Sequence, residues 1–213
     1  MTVSYLLLVR ADPAGPAPDA ALRLHGPADA TTLRDGGRTI TDGAFTELAE
    51  PVVAADVLEA EGLDDAIRAV AAHPPVADGV IELRALLGGD DDEPSPAPSS
   101  TGRRYLLLHA LPADRPETRA PTRSLPEWLA DPRVRTAVLA GDRLQPVSDE
   151  TAASIRMRGG EATVERGAVA EVTEAIAGYD LIAAEHLDDA IAIARPHPTL
   201  GFGVIEIRPL VWT

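Results

Sequence analysis

Histidines, carboxylates and arginines at a few positions are where this chain could do chemistry. His73 and His197 hold the same place in a duplicated segment, and each is followed by proline. An imidazole there can act as a general acid or base near neutral pH. It can equally cap the last carbonyls of a preceding helix. His109 ends the run Tyr105-Leu-Leu-Leu-His109 and shares a strand face with Tyr105 and Leu107. If that face lines a cavity between sheets, burial favours its neutral form, and ligand binding or proton transfer follows. Otherwise it is a packed or rim histidine. Asp42, in Asp42-Gly-Ala-Phe45, is the candidate acid–base partner, although Asp-Gly is also an ordinary turn pair. Glu82 and Arg84 recur as Glu206 and Arg208, each pair alternating with apolar residues. Charges on a buried face must be paired. They either form salt bridges or present a guanidinium to a ligand carboxylate or phosphate.

Much other chemistry is excluded. The chain of 213 residues has no Cys, Lys or Asn, and all 19 of its basic residues are Arg. Schiff-base and phosphate-loop lysines are therefore absent, as are thiol nucleophiles and cysteine-held clusters. The five histidines are scattered without metal-ligand spacing, and no Gly-rich dinucleotide loop follows a strand. No metal and no cofactor are expected. A net charge of −15 argues against nucleic acid, which requires clustered cations, and against anionic membranes. The opening Met1-Thr-Val-Ser-Tyr-Leu-Leu-Leu-Val9 has no basic flank, and its apolar run is short for a signal peptide or a span. A cytoplasmic location is the default expectation.

The elements that must position these residues come in two copies. Residues 43–84 align without a gap on 167–208, and 19 of the 42 positions are identical, which marks an internal duplication. The boundaries read as a truncated repeat at 1–87, an acidic Pro/Ser-rich linker at 88–104 and a complete repeat at 105–213. Each copy has a first strand (Tyr5–Val9, Tyr105–His109) and a hairpin. In the first copy the hairpin turns on Asp35-Gly-Gly37; in the second, on Gly159-Gly160. A strand follows (Val52–Glu59, Ile176–Ala183). A helix comes next, with Leu63, Ala66, Ile67, Val70 and Ala71 on one stripe. A last strand closes each copy. Ile81 and Leu83 should lie under the helices, leaving Glu82 and Arg84 on the opposite face. Only the second copy carries a first helix, opened by the capping-box pattern Ser124-Leu-Pro-Glu127 and broken at Asp131-Pro132. Trp128, Leu129, Val134, Val138 and Leu139 are assigned to its buried side. The first copy has only Asp12–Pro27 there. Packing the two sheets face to face gives an internal pseudo-dimer, expected to be a monomer or weak dimer.

In order and spacing these motifs resemble the YCII-related family, in particular its DGPF branch. The resemblance rests on Tyr-Leu-Leu-Leu, Asp42-Gly-Ala-Phe45, Leu-Asp-Asp-Ala, His-Pro and the final Val-Ile-Glu-(Leu/Ile)-Arg. It implies an α+β fold of two ferredoxin-like repeats forming an intramolecular pseudo-dimeric α+β barrel. It also implies lyase-like or dehalogenating chemistry on small aromatic substrates with a His/Asp pair in some members, and association with sigma factors in others. The chain departs from the family in two places. Its first helix region has Arg133 and Arg135 and no histidine, and the second signature loop reads Arg166-Gly-Ala-Val169. The expected function is small-molecule binding in one asymmetric pocket between the sheets, with catalysis degenerate. The alternatives are a lyase or isomerase on a small anionic or aromatic substrate and a regulatory interaction module linked to transcription. His109 and Asp42 are the catalytic candidates. Glu82, Arg84, Glu206, Arg208, His73 and His197 are the ligand-binding candidates.

Overall fold

A computed structural model describes residues 2–45, 51–88, 102–112, 124–167 and 174–211. The first copy contains β1 (Val3–Arg10), a short β2 (Leu22–Arg23), the hairpin β3 (Thr31–Arg34) and β4 (Thr39–Asp42), and β5 (Val52–Ala60). It ends with α1 (Leu63–Ala72) and β6 (Gly79–Ala85). The second contains β7 (Arg103–Pro112), α2 (Leu125–Leu129), α3 (Pro132–Ala137) and β8 (Val138–Arg143). The hairpin β9 (Ala152–Arg158) and β10 (Glu161–Arg166) follows, then β11 (Glu174–Ala184), α4 (Leu187–Ala194) and β12 (Val204–Pro209). The expected linker lies outside the described residues apart from its ends, and Arg103 and Arg104 belong to β7.

The chain is α+β, with two six-stranded antiparallel sheets and few helices. The first sheet runs β10-β9-β6-β1-β5-β2 and the second runs β4-β3-β12-β7-β11-β8. Each hairpin has therefore joined the other copy's sheet. Leu33 of β3 lies opposite Ile205 of β12, and Ile155 of β9 lies opposite Ile81 of β6. The ends of the two repeats do not coincide with the ends of the two sheets.

Alternation along each strand divides the core into three layers. Tyr5, Leu7 and Val9 of β1 pack with Ile81 and Leu83 beneath Leu63, Ala66 and Val70 of α1. Tyr105 and Leu107 of β7 pack with Ile182 and Ile205 beneath Ala190 and Ala194 of α4. Leu6 and Leu8 meet Leu106 and Leu108 in the layer between the sheets. All four leucines are fully buried, and each contributes about 1.5–3 kcal/mol on leaving water.

Residues 11–30 hold no α-helix, only β2 and a 3-10 turn at Pro27–Asp29. The first helical region of the second copy is present, with Ser124 and Glu127 forming the capping box and Asp131 capping α3. It is shorter than the sequence suggested. Val138 already has extended backbone, and Val138 and Leu139 belong to β8, not to a helix. Pairing with β11 overrides the apolar spacing there. No described helix is long and apolar enough to cross a membrane.

Candidate functional site

Three buried polar side chains converge on the helix-covered face of the second sheet. His109 comes from β7, Asp180 from β11, and His197 from the N-cap of a 3-10 turn at Pro198–Gly201. His109 shares its face with Tyr105 and Leu107 as the alternation requires, but that face looks toward α4 and not into the layer between the sheets. His109 Nε2 lies 2.9 Å from Asp180 Oδ2, and His197 Nε2 lies 3.5 Å from the same oxygen. The imidazole centroids are 4.3 Å apart, with the rings tilted by 41°. All three residues are more than nine-tenths buried.

The approaches are ion-pair distances, yet none is aligned as a hydrogen bond. Nε2 of both histidines and Oδ2 of Asp180 have no hydrogen-bond partner among the described residues. Such groups are costly to bury. His197 Nδ1 accepts a hydrogen bond from the Thr199 backbone N–H at 3.2 Å. In the neutral ring the proton must then sit on Nε2, facing Asp180. Burial first, and the His109 ring second, push the His197 pKa down to about 2, so this ring is neutral.

Local sequence builds the site from both sides. Gly178 lies opposite His109 and Gly141 opposite Asp180. A Cβ on Gly178 would stand 3.2 Å from His109 Nδ1, and one on Gly141 only 2.2 Å from Asp180 Oδ1. Glycine inside a strand weakens it and marks a close approach; here the approach is by the Asp180 carboxylate at Gly141, and by the Asp142 carbonyl at 2.9 Å together with His109 at Gly178. The β11–β7 register shifts between Ile176 and Gly178, a bulge of the kind found beside functional sites. Trp128 of α2 forms the roof. Its ring meets His197 edge-on, with centroids 4.5 Å apart at 80°. Its Nε1 donates to Ile193 O at 3.0 Å.

The first copy has the same framework with a different outcome. The repeat alignment places Val9, Asp56 and His73 where the second copy has His109, Asp180 and His197. Asp56 lies opposite Leu7 as Asp180 lies opposite Leu107, and the bulge recurs beside Val9. Among the described residues no helix roofs this position, which is an open groove of about 240 Å³. Leu7, Val9 and Val70 line its apolar part, and Asp19, Asp56 and His73 its polar part. Asp56 Oδ2 accepts from Ala21 N at 3.2 Å.

The other candidates lie elsewhere. His73 is exposed at the C-cap of α1, so the two histidines that follow the helices do different work. Asp42 is exposed at the end of β4, on the sheet edge. Its loop reaches Glu206 instead of His109: Phe45 N donates to Glu206 Oε2 at 2.9 Å, and Arg34 Nη2 to Phe45 O at 3.0 Å. Glu82 and Arg84 are buried and pair with each other at 3.2 Å, as Glu206 and Arg208 do at 2.9 Å. Arg10 adds a contact to Glu82 at 3.4 Å. Arg84 also donates to Ile176 O across the sheets, and Arg208 to His25 O. These pairs run along single strands, and it is the guanidinium–carbonyl bonds that bridge the layers. Among the described residues, leucines and these bonded charges pack in the layer between the sheets.

Asp180 and the roofing role of Trp128 were not assigned from sequence. One signal for Asp180 was present: it is identical to Asp56 in the alignment, an acid on the inward face of an apolar strand. Among the described residues, His109, Asp180 and His197 alone group three potential ligand atoms within 4.8 Å of one another. Such a cluster can share a proton or grip a cation. A scan of family models finds no match to this chain, and a search of curated proteins finds none either.

Proposed function

We propose that this chain is a tandem YCII-like protein, two ferredoxin-like halves sharing strands, that binds a small organic molecule in the open groove of its first half. The observation that carries this reading is the contrast between the halves: the position roofed by Trp128 in one is an open groove of about 240 Å³ in the other. Ligand sites combine an apolar lining with a few placed polar groups. Here the polar groups include the Asp19 and Asp56 carboxylates. Together with the apolar lining they favour a small ammonium ion carrying an apolar tail.

The test is a titration with phenethylamine against phenylacetate, followed by amide chemical shifts. The amine should bind and move signals of Val9, Asp56 and His73, and Asp56→Asn should weaken it about tenfold, as loss of a charged hydrogen bond predicts. Equal binding of the anion, or shifts confined to another face, would overturn the assignment. An acid–base role for His109 and Asp180 draws on their 2.9 Å approach. Both groups are shut away from the groove, so this reading requires α2 and α3 to move.

A further inference from the structure

We propose that His109, Asp180 and His197 form a binding site for one divalent first-row transition ion of the zinc class. Three observations carry it. The ligand atoms are two imidazole nitrogens and one carboxylate oxygen, a donor set of intermediate softness that suits zinc or iron(II) over calcium or magnesium. The distances fit. With metal–ligand bonds of about 2.0–2.2 Å, neighbouring donors stand about 2.9 Å apart at right angles and about 3.4 Å apart in a tetrahedron. The observed separations from Asp180 Oδ2 are 2.9 Å to His109 and 3.5 Å to His197. Finally, all three donor atoms, Asp180 Oδ2 and the two Nε2 atoms close to it, are buried and without hydrogen-bond partners. A single cation satisfies all of them at once.

Enclosure suits an ion better than an organic substrate. Trp128 closes the site from the α2 side, and Gly141 and Gly178 provide room for the donors and little more. The first half has Val9 in place of His109, so the site is single per chain. Loading has one defined local cost. A neutral His197 can ligate through Nε2 only if its proton moves to Nδ1. The Thr199 N–H would then lose the acceptor it now has at 3.2 Å. Ligation through Nε2 thus disturbs the Thr199 hydrogen bond, and the Thr199 amide reports it.

The experiment uses the full chain, stripped of metal and titrated with Co²⁺ while visible d–d absorption is read. Zn²⁺ is then added in competition. One equivalent of Co²⁺ should give saturable bands that Zn²⁺ abolishes. The Thr199 amide signal should move on loading with Zn²⁺. Asp180→Asn and His109→Ala should each weaken binding by at least about 100-fold, beyond the effect of losing a supporting contact outside the metal shell. His25→Ala and His186→Ala should leave it unchanged. Absence of a saturable one-equivalent band in the wild-type chain overturns the proposal, whatever the variants do. Bands that survive in both Asp180→Asn and His109→Ala overturn it too, because the ion is then held elsewhere. The groove in the first half plays no part in these outcomes.

Discussion

Gly141 faces Asp180 across the β8–β11 ladder so closely that a methyl group on Gly141 would meet Oδ1 at 2.2 Å and the Tyr179 carbonyl at 2.9 Å. The carboxylate can swing, but the carbonyl is fixed in the sheet. Gly141→Ala should therefore cost about 1–3 kcal/mol, the usual range for overpacking. Urea unfolding would show this as a lower midpoint at an unchanged slope. A midpoint equal to wild type would mean that Asp180 is not held where its partners require.

Trp128 should govern access to His197. In the wild-type chain diethyl pyrocarbonate should modify the exposed His73 and spare the buried His197. Trp128→Ala removes the edge-on contact and should expose His197, alongside a stability loss of about 3–5 kcal/mol. Peptide mass spectrometry reads both sites in one digest. Protection of His197 that persists in this variant would show that the roof lies elsewhere.

Alkaline pH should destabilise the chain through its tyrosines. The chain has three, and all have pKa values above the ordinary 10, with burial as the main cause. Tyr179 is pushed up to about 12 by burial, helped by the Asp142 and Asp180 charges. A folded pKa above the unfolded one means stability is complete below pH 10 and is lost as pH rises from 10 toward 12. Tyr179 alone should contribute about 1.4 kcal/mol per pH unit in that window. Lysine and cysteine, which would blur it, are absent. Tyr179→Phe should flatten the slope of stability against pH; an unaltered slope would reject burial of the hydroxyl as its source.

The exchanged hairpins make the two copies depend on each other. Expressed as separate chains, residues 1–88 and 102–213 should co-purify as a one-to-one complex, because each completes the other's sheet. Either chain alone would leave a sheet edge bare and a hairpin unpaired, an arrangement that invites aggregation. Two independently folded, monodisperse fragments would contradict the strand order.

Much of the scaffold was legible in the residues. The stripe Leu63, Ala66, Ile67, Val70 predicts α1 because a helix repeats every 3.6 residues, and Leu63–Ala72 is helical. Ile81 and Leu83 face α1, and Glu82 and Arg84 face the other sheet, because side chains alternate along a strand. The exchange of hairpins was not legible. Residues such as Thr31–Arg34 show the same local pattern whichever sheet accepts them, and only the long-range register decides. β8 was misread because Val134, Val138 and Leu139 have helical spacing, while the ladder with β11 lies outside any local window. The site shows the same limit. His109 was visible as a titratable group, but its nearness to Asp180 and His197 comes from three elements distant in sequence. The motif around Asp42 suggests it as the partner of His109, but the sheet edge holds it elsewhere.

The swapped hairpin also bears on how this protein emerges from the ribosome. β3 at Thr31–Arg34 is made long before its partner β12 at Val204–Pro209. The first sheet must likewise wait for β9. Neither sheet can finish its hydrogen-bond ladder until the second copy has been made, so the nascent chain carries unpaired strands in the meantime. Contacts this remote in sequence fold slowly and expose aggregation-prone edges meanwhile. The strong negative charge has a use at that stage, since mutual repulsion keeps unfinished chains apart.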